Sequence, residues 1–326
     1  MKLLIAGGSG FLGSHFIRYL SQKYPDYELY NLDRHNFMDD FSEVKEFKVP
    51  ENYHFMANDV RDTKVIEKLA KDKDLILNFV SMGTEGVATT FTADFITTEM
   101  LGTFNLLEAT RKFGIRRMIQ ASDYEVYGEA RSTEGIARPS LETDSMFPTS
   151  PSASAKAGAD NLVYTYFLRF QTPTVILRSA SNFGSFQNPA KMVAYFIIQA
   201  LEGKKVPIHG NGGYVRDWIY VKDQCEAFDK ALHTKGIEGE IFNVGASNER
   251  TVIEMTEHIL TILDRPKDLI EFIQDRPGRE KRRAVDINKI REQLGWQAKT
   301  DFNKALEETV SWYVENHWWW EKRIKA

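Results

Sequence analysis

The stretch KLLIAGGSGFLGSH, residues 2–15, decides the fold. It opens as a short apolar run broken by glycine, the pattern of a strand buried on both faces. From Ser14 to Lys23 the apolar residues Phe16, Ile17 and Leu20 return at helical spacing. Gly8-x-Gly10-x-x-Gly13 therefore lies between a strand and a helix. Glycines there permit a tight turn and let the backbone approach a pyrophosphate. The helix start adds free N–H groups and the positive end of a dipole. Asp33 ends the next strand, 20 residues after Gly13. A carboxylate there accepts hydrogen bonds from an adenosine ribose and repels a 2′-phosphate. The expected dinucleotide site comprises Gly7, Gly10, Phe11, Leu12, Gly13 and Asp33, with Val60, Val80 and Met82 near later strand ends. NAD is favoured over NADP, and Arg34 keeps NADP open. Asp59 reads equally as an adenine contact or as a helix cap.

The alternation continues along the chain. Residues 27–33, 53–59, 75–80, 116–122 and 174–180 read as strands. Helices are expected from Asp62 to about Ala70, over about 91–113 before Gly114, and over about 152–170. Connections too long for hairpins imply a parallel sheet with helices on both faces, a Rossmann-type doubly wound α/β fold. After Ser181 the segments shorten and 203–218 is rich in glycine and turns. Helices are expected at 189–202, 222–234, 251–264 and 301–316, with a strand at 238–245. The expected division is a first domain of 1–180 plus about 236–248, and a smaller C-terminal α/β domain of 181–235 and 249–326. The tail from Glu315 reads as a helix end packed on the body.

Bulk properties exclude several classes. The chain has 326 residues and a net charge of -4, with 42% hydrophobic and 27% charged residues, a globular composition without the basic excess of a nucleic-acid binder. The basic run REKRRAV, 279–285, reads either as a solvated face or as a site for a few phosphates. One cysteine, Cys225, excludes an internal disulfide framework and fits a reducing cytoplasm. No apolar stretch is long enough for a membrane helix. The seven histidines show no paired metal-ligand spacing, so no metal is expected. No histidine lies near Ser152 or Ser154 in sequence, which disfavours a serine hydrolase.

Further segments carry a resemblance. GGSGFLGSHF, NDVRD, GTFNLLEA (102–109), EVYG (125–128), SAKAGAD (154–160), SNFGSFQNPAK (181–191), ALEGKKVPIHGNG (200–212), VRDWIYVKD (215–223) and DRPGREKRRAVD (275–286) follow in order. Together they resemble an extended short-chain dehydrogenase/reductase, and above all the nucleotide-diphosphosugar 4,6-dehydratases of the dTDP-glucose type. The resemblance implies an NAD that is used and regenerated within one turnover: hydride leaves sugar C4, water is lost across C5 and C6, and the hydride returns to C6. It places Lys156 on the nicotinamide ribose and Glu125 as the C5 base. For a UDP- or dTDP-linked sugar it implies contacts from Glu85, Ser152, Asn182, Lys191, Pro207, Asn243 and Arg279, with His209 stacking on the base. Arg216 and Arg276 would grip the diphosphate as planar forks. The second domain would close over the sugar, at the carboxyl ends of the strands. Helices 91–113 and 152–170 would form a homodimer interface.

Three departures from that pattern fall around one site. The family's tyrosine is Ser152, its serine or threonine is Asp123, and its acidic proton donor is Tyr124. The segment 81–90 also replaces the usual active-site loop. A serine hydroxyl cannot serve as a tyrosinate near neutral pH, so simple replacement fails. Asp123 can act as a general base directly, favouring the positive charge that develops at C4. Tyr124, ordinarily protonated near neutral pH, can donate where the family's acid did, and Glu125 keeps the C5 proton in reach. The expectation is thus a 4,6-dehydratase-type lyase with Asp123, Tyr124, Glu125 and Lys156 as catalytic set. The alternatives are an epimerase, a variant that stops at a 5,6-alkene, and a silent NAD and nucleotide-sugar binder.

Overall fold

The computed structural model describes residues 1–35, 51–81, 93–130, 132–133, 136–275, 278 and 280–325. A seven-stranded sheet organises the first half of the chain. Its first five strands are β1 (Lys2–Ala6), β2 (Glu28–Asp33), β3 (Tyr53–Ala57), β4 (Leu75–Asn78) and β5 (Arg117–Asp123). β1 pairs in parallel with β2 and β4, β2 with β3, and β4 with β5. The strands Thr174–Ser179 and Ile241–Val244 continue the sheet beyond β5. Strand order reverses at β1, where a doubly wound sheet leaves its ligand crevice. Leu3, Leu4, Ile5 and Ala6 are fully buried, which is why β1 has no polar face. Each such leucine or isoleucine contributes about 2 kcal/mol of burial.

Helices follow the strands: α1 (Phe11–Lys23), α2 (Thr63–Ala70), α3 (Ala93–Ile96), α4 (Gly102–Phe113) and α5 (Pro151–Phe170). α1 starts three residues earlier than its apolar spacing suggests, because the glycine turn itself forms the cap, with Gly10 extended at ψ 174°. Asp62 caps α2, accepting from the N–H groups of Lys64 and Val65. Ser150 caps α5 and Pro151 occupies its first turn, where a missing N–H costs nothing. The helix expected over 91–113 is instead three pieces. α3 runs into a π turn, Thr97–Leu101, before α4 begins and ends at left-handed Gly114. Glu99, within the π turn, is buried, 3% exposed, four residues after the buried Phe95.

The chain divides into two compact units. Unit 1 is Met1–Val126, Ser150–Arg178 and Cys225–Phe242; unit 2 is Tyr127–Thr149, Ser179–Gln224 and Asn243–Ala326. Unit 2 contains a small sheet in which Val215–Tyr220 pairs with Ser181–Phe183, Glu249–Thr251 and Arg282–Arg283, and a two-stranded sheet of Val206–His209 with Ile270–Ile273. Its helices include Met192–Leu201, Val252–Ile262 and Phe302–Glu315. The terminal His317–Lys325 helix buries Trp319 and Trp320, and the Trp320 indole donates to the Tyr313 carbonyl at 2.9 Å.

Candidate active site

In unit 1 the glycine turn opens onto a cavity of about 230 Å³. Its walls include Gly7, Gly10, Asp33, Arg34, Asp59, Val60 and Val80, so seven of the expected cofactor residues meet there. Gly7 has φ 75°, and a Cβ on it would lie 2.6 Å from the Val80 nitrogen. A Cβ on Gly13 would lie 2.5 Å from the Gly7 oxygen. Both positions therefore require glycine for the turn to close. Among the described residues no side chain caps α1, which leaves its first N–H groups to a ligand at that end. Phe11 and Leu12, half-buried, form its first turn.

Asp33 stands where β2 ends. One of its oxygens accepts from the Ser9 N–H at 3.0 Å and the other from the Arg34 N–H at 2.7 Å. Burial pushes its pKa up, against the pull of these backbone donors. A carboxylate has lone pairs left for further donors after two such bonds. Asp59 is clamped by Arg61, Nη2 to Oδ2 at 2.7 Å and Nε to Oδ1 at 3.0 Å, which holds it below the usual carboxylate range. Asp59 does not cap α2; Asp62 does.

A second constellation surrounds Lys156. Ser152, Lys156 and Asp160 recur every fourth residue on α5, hence on one face. The Lys156 ammonium lies 3.0 Å from Glu99 Oε2. Burial alone would lower its pKa; the negative charges of Glu99, Asp123 and Asp160 outweigh that and raise it. Asp160 is fully buried and holds Arg178 Nε at 2.9 Å and the Ser122 hydroxyl at 2.9 Å. At the end of β5, Asp123 Oδ1 accepts from the Glu125 N–H at 2.7 Å. Asp123 and Glu125 are half-buried, whereas Tyr124 is 3% exposed. The Ser152 hydroxyl lies 3.2 Å from that of Ser150. Glu99 is the residue the sequence did not offer. Its only signal is a glutamate on the side of an apolar helical segment that should face the core.

Unit 2 holds most of the expected sugar-nucleotide contacts. Asn182 lies in the Ser181–Phe183 strand, its Nδ2 donating to the Ala180 carbonyl at 3.0 Å while its buried Oδ1 has no partner among the described residues. Lys191 precedes the Met192–Leu201 helix and is exposed. Pro207 and His209 lie in one strand, with His209 Nδ1 2.8 Å from the Gln274 oxygen. Asn243 and Arg216 are both tied to neighbouring groups. Asn243 is fully buried: its Oδ1 accepts from Tyr127 at 2.8 Å and its Nδ2 donates to the Ser140 carbonyl at 2.9 Å, so its amide braces the fold. Arg216, 3% exposed, donates to the carbonyls of Val215 (2.7 Å) and Glu280 (3.0 Å). In the basic run, Arg282 forms a bidentate pair with Glu249, both contacts at 2.6 Å. Met82, Glu85, Arg276 and Arg279, and all of 81–90 except Ser81, lie outside the described residues.

A glycine-turn Rossmann sheet joined to a lysine-bearing helix defines the class of extended short-chain dehydrogenases/reductases that act on nucleotide sugars. A family model described as GDP-mannose 4,6 dehydratase matches residues 4–309, and the chain belongs to that family. The low-salt glycan biosynthesis protein Agl12 of Haloferax volcanii is 36% identical over 314 residues, covering 96% of this chain and 99% of that one. The structure of dTDP-glucose 4,6-dehydratase from Bacillus anthracis in complex with NAD superposes with a TM-score of 0.89 at 34% identity, over 99% of each chain. The UDP-glucose 4-epimerase of Thermotoga maritima, solved with UDP-glucose, gives a TM-score of 0.86 at 26% identity, over 97% of this chain and 100% of that one.

Proposed function

We propose that the chain is an NAD-dependent nucleotide-sugar 4,6-dehydratase-type lyase in which Asp123 does the work of the missing tyrosine. Unit 1 would take the cofactor and unit 2 a UDP- or dTDP-linked sugar. The cofactor residues fit the group: a turn whose close backbone packing a Cβ at Gly7 or Gly13 would block, helix-start N–H groups for a pyrophosphate, and Asp33 for a ribose diol. When bound, NAD supplies reversible two-electron oxidation at a sugar carbon. Lys156 would hold the nicotinamide-side ribose.

The observation that carries the reading is the position of Asp123. It ends β5 beside Lys156, its carboxylate oriented by the Glu125 N–H. Around Lys156 the described residues gather three carboxylates, Glu99, Asp123 and Asp160, against two cations, Lys156 and Arg178. Asp123 is the most exposed of the three, so a proton it accepts from the C4 hydroxyl brings the cluster to neutrality. Glu125 then removes the C5 proton, Tyr124 protonates the departing C6 hydroxyl, and water leaves. Ser152, on the Lys156 face of α5, contacts sugar without titrating.

Asn182 supports sugar binding with its unpartnered Oδ1. A homodimer is supported by Ile96, Leu101, Phe104, Tyr164, Leu168 and Phe170, large side chains 40–56% exposed along α3–α4 and α5. Asp123→Asn, which keeps shape and removes the base, should lower kcat about a thousandfold while leaving nucleotide-sugar affinity within a factor of a few. A near wild-type rate in that variant refutes the role of Asp123.

A further inference from the structure

We infer that Glu99 is a positioning residue: as counter-ion of Lys156 it keeps that ammonium charged and in place throughout turnover. The inference deepens the function proposed above and rests on it for its purpose. A glutamate 3% exposed is unfavourable in a helix interior unless paired. Here it lies in the π turn, within 3.0 Å of Lys156 Nζ. Packing leaves the turn little freedom. A Cβ on Gly158 of α5 would lie 3.1 Å from Met100 Sδ, and one on Gly102 would lie 2.5 Å from Val60 Cγ1. The Gly158 contact holds the π turn close to α5, and Gly102 seats the end of the turn on Val60.

Three carboxylates face the ammonium: Glu99 from the π turn, Asp123 from the end of β5, and Asp160 one turn along α5. They do different things. Asp160 is committed to Arg178 and to the Ser122 hydroxyl. Asp123, as proton acceptor, loses its charge in each turnover. Only Glu99 remains as a permanent partner against the burial that drives Lys156 toward neutrality. An amide in its place would leave the lysine charge dependent on the protonation state of Asp123.

The test titrates Lys156 directly. The full chain is labelled with trace acetic anhydride across a pH series, and acetylation of the Lys156 peptide is followed by mass spectrometry. In the wild type, Lys156 should become reactive only above the range of an ordinary lysine, about 10.4. In Glu99→Gln the midpoint should fall by about one unit or more, giving roughly tenfold more labelling near pH 9. Glu99→Asp should stay near the wild type. NAD affinity measured by calorimetry should be flat to about pH 9 in the wild type and fall in Glu99→Gln as Lys156 titrates. Superposed Lys156 curves for wild type and Glu99→Gln overturn the inference. So does a wild-type midpoint below that of ordinary lysines, which decides the matter alone if the variant does not fold. Failure to form a dehydrated sugar, with the titration as expected, would sink the lyase reading and leave the ion pair's role standing.

Discussion

Asp217 shows how far burial governs the carboxylates of this chain. It has no exposed surface and accepts backbone N–H groups from the 246–248 loop, the Asn248 bond being 2.9 Å. Burial nonetheless dominates and pushes its pKa up to about 6, from an ordinary 3.8. The folded-state pKa lies above the unfolded one, so folding favours the protonated acid. That contribution is complete below about pH 4 and is lost as pH rises through about 6, a decline of about 3 kcal/mol. Asp217→Asn cannot ionise. Its melting temperature relative to wild type should therefore climb between about pH 4 and pH 7. A constant difference over that range contradicts the assignment. Cys225 follows the same physics: burial pushes its thiol up to about 12. The native protein should not react with a disulfide reagent at neutral pH, and should expose one thiol per chain on unfolding. Burial of this kind is what single residues do not announce. Gly7 and Gly13 were legible because turn geometry demands glycine at those positions. Glu99 was not, since a glutamate in a helix ordinarily reads as solvated. The partners of Arg216 and Asn243, neighbouring carbonyls and Tyr127, are ones that only folding supplies.

Elements were legible wherever one local signal fixed both type and end. The β1 run, the glycine turn and the Pro151 start of α5 are such cases. The division of 91–113 was not, because a π turn is selected by what it buries rather than by propensity. The glycine turn gives a sharp test. Gly13→Ala places a methyl 2.5 Å from the Gly7 oxygen and 2.6 Å from Gly8 Cα. The α1 start must then move, and NAD affinity by calorimetry should fall at least about tenfold. Retained affinity would mean that this turn is not the cradle. In unit 2 the Val252–Ile262 helix begins with a capping box, Thr251 and Glu254 bonding reciprocally. Thr251→Ala should cost about 1 kcal/mol in unfolding measurements, without touching any proposed ligand contact.

Across the chain as a whole, the order of motifs was legible as a fold and a family. Strand order around β1, the Lys156 helix and family membership agree with the sequence pattern, because each rests on many residues at once. The apolar stripe on α4 and α5 has a measurable consequence. Leu168→Glu combined with Phe170→Glu should convert a dimer to a monomer in sedimentation, and an unchanged wild-type-like mass would place the interface elsewhere. The claim on which all else depends is that this chain dehydrates a nucleotide sugar without its usual phenol. Mass spectrometry of UDP-, dTDP-, GDP- and CDP-sugars incubated with enzyme and NAD tests it. One sugar should come back lighter by a single water, with no build-up of reduced nicotinamide; every sugar returned unchanged, or reduced cofactor accumulating in step with product, would rule the dehydration out.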